Sequence, residues 1–151
     1  MPTDKCLIAT AARHGVDHCD AEDARGYLVV FASETSVPWL RLLRPGFRHC
    51  FLVVRMHGAW VSIDSLKTRL EVDILPAGPD FDLARFYAER GFRVLVGRRP
   101  PLGDAGRFGL RPLTCVEVVK RALALHAPRV LTPWQLWRHL LARGARAYGQ
   151  S

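Results

Sequence analysis

No CxxC pair occurs among the four cysteines of this chain, which stand at positions 6, 19, 50 and 115. At 151 residues the chain has room for a core without covalent staples, so reduced thiols are expected. Cys6, His14, His18 and Cys19 fit no familiar zinc spacing, and the sequence calls for no metal and no cofactor. No apolar stretch approaches the ~18 residues of a membrane span. The opening Met1-Pro2-Thr3-Asp4-Lys5 leads only into a short apolar patch before Arg13 and His14, so neither a secretory signal nor a transmembrane segment is expected, and the expected location is the cytoplasm. Repeats and low-complexity tracts are missing. Acidic residues are scarce in the last third: residues 1–97 carry 12 basic and 12 acidic side chains, residues 98–151 carry 10 and 2, and the net charge is +8. Such an excess favours an anionic partner, whether nucleic acid, a polyanionic cell-wall polymer, an acidic lipid surface or a protein. No aromatic-interleaved nucleic-acid motif accompanies it, and a solvated arginine-rich surface accounts for it equally well.

What is present is the profile of one globular domain, 49% hydrophobic and 24% charged. Residues 1–25, with the acidic cluster Asp17, Asp20, Glu22 and Asp23, read as an N-terminal arm, mobile or loosely helical; residues 26–151 read as the domain. Tyr27 to Ala32 (YLVVFA) is expected as a buried strand and Ser36 to Leu43 as a short helix. His49 to Met56 and Ala59 to Asp64 are expected as a hairpin turning at His57-Gly58, with a third strand from Thr68 to Leu75. A helix over Phe81 to Arg90 closed by Gly91, a strand over Phe92 to Val96, an irregular Arg/Pro/Gly-rich rim from Arg98 to Pro112, and helices over Thr114 to Leu125 and from Thr132 to about Ala142 complete the pattern. Antiparallel strands with flanking helices make the class α+β. Trp39, Trp60, Trp134 and Trp137 are expected in the core, and Arg48 in solvent.

The chemistry gathers at Leu113-Thr114-Cys115-Val116-Glu117. Thr114 and Glu117 have capping-box spacing and the apolar positions beyond recur at helical period, which makes Cys115 the first helical residue. There its sulfur faces unpaired N–H groups and the positive end of the helix dipole, an environment that lowers a thiol pKa. A base and an orienter stand upstream. If the hairpin turns symmetrically about His57 and Gly58, Phe51 pairs with Asp64, and the two-residue strand period puts His49 and Asp64 on one face as diagonal neighbours. A one-residue slip would separate them. Cys115, His49 and Asp64 are thus candidates for nucleophile, base and orienter. Arg107 and Arg111, near the cysteine helix, are candidates to meet an anionic substrate.

In this order the residues resemble the circularly permuted papain-like proteins of the NlpC/P60 superfamily. The likeness rests on YLVVFA, on Gly46-Phe47-Arg48-His49-Cys50-Phe51-Leu52-Val53-Val54, on Val61-Ser62-Ile63-Asp64, on Cys115-Val116-Glu117-Val118-Val119 and on Leu131-Thr132-Pro133-Trp134-Gln135-Leu136. It covers most of residues 26 to 140, and the compact form is similar to short phage or prophage-type members. Valine after the cysteine and Cys50 after the histidine depart from the usual pattern. The resemblance implies a permuted papain-like fold, its antiparallel sheet packed against the cysteine helix, and a cysteine peptidase or amidase with a Cys-His-Asp triad. It also implies a cell-wall peptide amide as substrate, reached from a phage particle or after lysis. The same fold supports acyl transfer. A binding or structural module of that fold, holding an anionic nucleic acid or protein through the basic C-terminal third, is the alternative from another class.

Overall fold

Tyr27 to Ala32 offers no charged face to water, and the chain buries it on both sides. A computed structural model describes residues 26–34, 38–65, 69–78, 80–98 and 112–149, with the side chains of residues 39 and 40 outside that description. Strand β1 (Gly26–Ala32) lies inside an open six-stranded sheet. Strands β2 (His49–Met56), β3 (Ala59–Ser65) and β4 (Leu70–Leu75) extend it on one side, β5 (Arg93–Arg98) and the short β6 (Arg146–Ala147) on the other. All pairings are antiparallel and the order is β4-β3-β2-β1-β5-β6. With helices α1 (Leu83–Glu89), α2 (Cys115–Ala122) and α3 (Pro133–Ala142), the architecture is α+β, as expected. None of the described helices is long and apolar enough to cross a membrane.

Strand alternation sorts the core into two layers. Val29, Phe31, Cys50, Leu52, Val54 and Leu95 pack with Val116, Val119, Leu136 and Leu140 of α2 and α3. Leu28, Val30, Val53 and Val94 pack with Leu83 and Ala84 of α1. Around Phe47 three aromatic rings pack edge to face: Phe31 at 5.6 Å, Trp134 at 4.8 Å and Trp137 at 5.4 Å between centroids. Trp137 is buried, whereas Trp134 and Trp60 are half-buried.

The β2–β3 hairpin turns where its residues permit. His57 (φ 50°) and Gly58 (φ 78°) both take the left-handed region, as a two-residue type I′ turn requires. The register runs symmetrically outward from Met56↔Ala59 to Leu52↔Ile63. Helix α3 opens with a complete capping box: Thr132 Oγ1 accepts from Gln135 N at 3.3 Å and Gln135 Oε1 accepts from Thr132 N at 3.1 Å.

Three details differ from expectation. The segment before Arg44 is a 3-10 turn, Pro38–Leu42, rather than an α-helix; its expected cap, Ser36, lies outside the described residues, as does Thr68. β6 has no counterpart in the expected pattern, since two residues carry no periodicity. Arg48 is half-buried, its Nη1 donating to the Ser33 carbonyl at 3.3 Å, because the strand opening at His49 draws it against the end of β1. The N-terminal arm 1–25, with Cys6, His14, His18 and Cys19, and the rim positions Arg107 and Arg111 lie outside the described residues.

Candidate active site

Thr114 sets where α2 begins. Its extended backbone (φ −85°, ψ 163°) holds it outside the helix while Oγ1 accepts from Glu117 N at 3.2 Å. Only this half of the expected capping box forms. Glu117 is 5% exposed and its side chain turns to cations instead, with Lys120 Nζ at 2.8 Å and Arg121 Nε at 3.2 Å. A buried carboxylate needs paired charge more than it needs a backbone donor. Just before the cap, the Leu113 carbonyl accepts from Ser65 Oγ at 3.4 Å, tying the entry of α2 to the end of β3. Cys115 is therefore delivered, as the first helical residue, beside the strand end that carries Asp64.

His49 is the first residue of β2, so its ring stands at the margin of the sheet. Continued one step beyond its last pair, Leu52↔Ile63, the register would oppose Phe51 and Asp64, so strand alternation puts His49 and Asp64 on the same face as diagonal neighbours. His49 Nε2 lies 2.7 Å from Asp64 Oδ1, both side chains about three-quarters shielded from solvent. The ring also lies beside Cys115, whose charge acts on it. With Nε2 engaged by the carboxylate, the nitrogen left for sulfur is Nδ1.

Cys50 completes the cluster from the other face of β2. It is fully buried under α2 in the core cluster against which Cys115 packs, and its thiol and backbone N–H are near enough to the Cys115 sulfur to favour its charged form. The β2–β3 ladder starts only at Leu52↔Ile63, which leaves the first residues of β2 open to the incoming helix. Sequence reading noticed Cys50 only as a departure from pattern. The signal was alternation: a residue next to His49 must point to the opposite face, the one on which the cysteine helix packs.

These contacts set the protonation states. The hydrogen bond from the Cys50 thiol is the largest influence on Cys115; with the His49 hydrogen bond and charge and the Cys50 N–H, it outweighs burial and lowers the Cys115 pKa from 9.0 to about 5. Burial works against a charged imidazole, but hydrogen bonds to Asp64 and Cys115 and the charges of both raise His49 from 6.5 to about 10. Burial, reinforced by the neighbouring Cys115, pushes Cys50 well above 9.0, so it remains a thiol and a donor. At neutral pH the site is a Cys115 thiolate beside a His49 imidazolium.

Comparison of the chain with models of protein families, with curated proteins and with solved structures found no match. What the site can do is therefore argued from its own atoms. A thiolate, an imidazolium and a carboxylate in series are equipped for nucleophilic attack with proton transfer. Among the described residues no group of three or more His, Cys, Asp or Glu side chains is arranged to hold a metal ion.

Proposed function

We propose that this chain is a cysteine amidase or peptidase that works through a thioester, with Cys115 as nucleophile, His49 as acid and base, and Asp64 as orienter. The observation that carries the reading is the His49 ring held between Asp64, at 2.7 Å, and the Cys115 sulfur. The strand–strand–helix order of these residues favours the permuted papain-like (NlpC/P60) arrangement, and with it a cell-wall peptide amide as substrate.

The steps follow from the protonation states. Cys115 attacks the carbonyl carbon without first giving up a proton, and the carbonyl π pair moves to oxygen. The helix dipole and the Cys115 backbone N–H at the start of α2 stabilise that oxyanion. His49 starts as the acid: it protonates the leaving nitrogen as the C–N bond breaks and the thioester forms. Neutral His49 then takes a proton from water, whose oxygen attacks the thioester and frees Cys115. Asp64 holds the ring with one nitrogen toward sulfur and stabilises its charged form.

The test is incubation of the purified chain with peptide fragments of cell wall, read by mass spectrometry for amide cleavage. Cleavage lost in both Cys115→Ala and His49→Ala supports the reading. Intact substrates, together with Cys115 alkylation that follows an ordinary thiol ionisation near ~8.5 and ignores His49→Ala, overturn it in favour of a binding module. Salt-dependent binding of DNA surviving Cys115→Ala would then identify the module's partner class.

A further inference from the structure

The fully buried Cys50 sits beneath the partly exposed Cys115, on the helix-packed face of β2, and among the described residues both are free thiols. A valine or alanine would fill a core position of this size equally well; a second sulfur in contact with the first has chemistry that neither offers. We propose that Cys50 and Cys115 form an oxidative modification site that takes a hydroperoxide and closes as an intramolecular disulfide. The inference uses the ionised Cys115 of the proposed function but needs no hydrolysis.

Geometry orders the events. Only Cys115 meets solvent, so the peroxide reaches it first. Its thiolate attacks one peroxide oxygen; the S–O bond forms, the O–O bond breaks, and the departing alkoxide or hydroxide takes the proton of the His49 imidazolium. The product is Cys115 sulfenic acid beside neutral His49, with one molecule of alcohol or water released. The Cys50 sulfur, in the core cluster against which Cys115 packs, then attacks the sulfenic sulfur. The S–S bond forms, the S–O bond breaks, and the hydroxyl leaves as water with the Cys50 proton. Two thiols lose two electrons and the peroxide gains them. Because Cys50 needs no access to solvent for this step, its burial is no obstacle, and small external thiols regain the site by attacking the Cys115 side of the bridge.

The experiment treats the full chain with hydrogen peroxide in several-fold molar excess, quenches with an alkylating agent under denaturing conditions and maps the peptides. The expected result is a Cys50–Cys115 linked peptide, loss of Cys115 alkylation and its full recovery after dithiothreitol. In Cys50→Ala, Cys115 should instead reach sulfinic acid and stay unalkylated after dithiothreitol, while a Cys6→Ser/Cys19→Ser chain should still form the bridge. Recovery of wild-type Cys115 as sulfinic acid with Cys50 reduced, a bridge from Cys115 to Cys6 or Cys19, or an unoxidised Cys115 overturns the proposal. The wild-type map decides even if Cys50→Ala does not fold. A bridge without amide cleavage removes the hydrolase reading and leaves this one; cleavage without a bridge does the reverse.

Discussion

His49 Nε2 and Asp64 Oδ1 are 2.7 Å apart although fifteen residues separate them in the chain. Two left-handed residues, His57 and Gly58, set this distance, because they turn the hairpin without a slip and so decide which side chains share a face. A carboxylate at that distance does more than hold the ring. It stabilises the imidazolium, which in turn stabilises the Cys115 thiolate, so a turn at one end of the hairpin governs ionisation at the other.

The first consequence is a broad pH window. Cys115, lowered to about 5, is a thiolate above that pH, and His49, raised to about 10, keeps its proton below that one. Amide cleavage, measured as kcat/KM, should rise through about 5, hold, and fall through about 10. In His49→Ala the imidazolium is gone, and the ionisation seen in iodoacetamide alkylation of Cys115 should move upward. An alkylation profile that stays in place in this variant would show that His49 does not tune the sulfur.

Asp64→Asn keeps a hydrogen-bonding oxygen and removes the charge. Cleavage should fall by roughly one to two orders of magnitude less than in Cys115→Ala, since an orienter removed alone costs less than the nucleophile. The descending limb should also move below about 10, because a contribution that raises His49 has been lost. A loss equal to that of Cys115→Ala with an unmoved descending limb would assign Asp64 to folding rather than to the ring.

Legibility in the sequence followed the range of the forces involved. The β2–β3 register, the Thr114 and Thr132 caps and the first-residue position of Cys115 are local: period, turn chemistry and cap spacing specify them within a few residues. Cys50 stands out in the sequence only as a departure from pattern, because its place beside Cys115 depends on how closely α2 settles on β2, a packing outcome with no local signature. Glu117 had two competing local readings, capping box and ion pairs at i+3 and i+4, and burial of α2 against the sheet decided for the pairs. β6 exists only because β5 offers it an edge. The papain-like likeness rests on motif order, which an α+β sheet of this topology accommodates without requiring it.

The Glu117–Lys120 pair lets the helix that carries Cys115 bury its charged positions. Lys120 is 2% exposed, and its Nζ also donates to the Val130 carbonyl at 3.1 Å, bracing the segment that leads to α3. Lys120→Met leaves Glu117 with Arg121 alone, so destabilisation should fall at or below the low end of the ~3–5 kcal/mol typical of a broken buried pair. Glu117→Gln/Lys120→Met, which removes both charges, should recover part of it in urea unfolding. A double variant less stable than Lys120→Met would mean that Glu117 acts through something other than this pair.

Linkage between the site and folding gives the last prediction. Between about 5 and the ordinary thiol value of 9.0, folded Cys115 has lost a proton that the unfolded chain retains, so its contribution to stability grows with pH. Between the ordinary imidazole value of 6.5 and about 10, folded His49 holds a proton that the unfolded chain lacks, so its contribution shrinks as pH rises. Added together, the stability difference between the wild type and Cys115→Ala/His49→Ala should climb from about 5 to 6.5, stay level to 9.0 as the two slopes cancel, and decline toward about 10. Urea unfolding at half-unit pH steps measures that curve. A difference that changes steadily across the middle of the range would mean that only one of the two groups is perturbed, and that Cys115 and His49 do not rest as an ion pair.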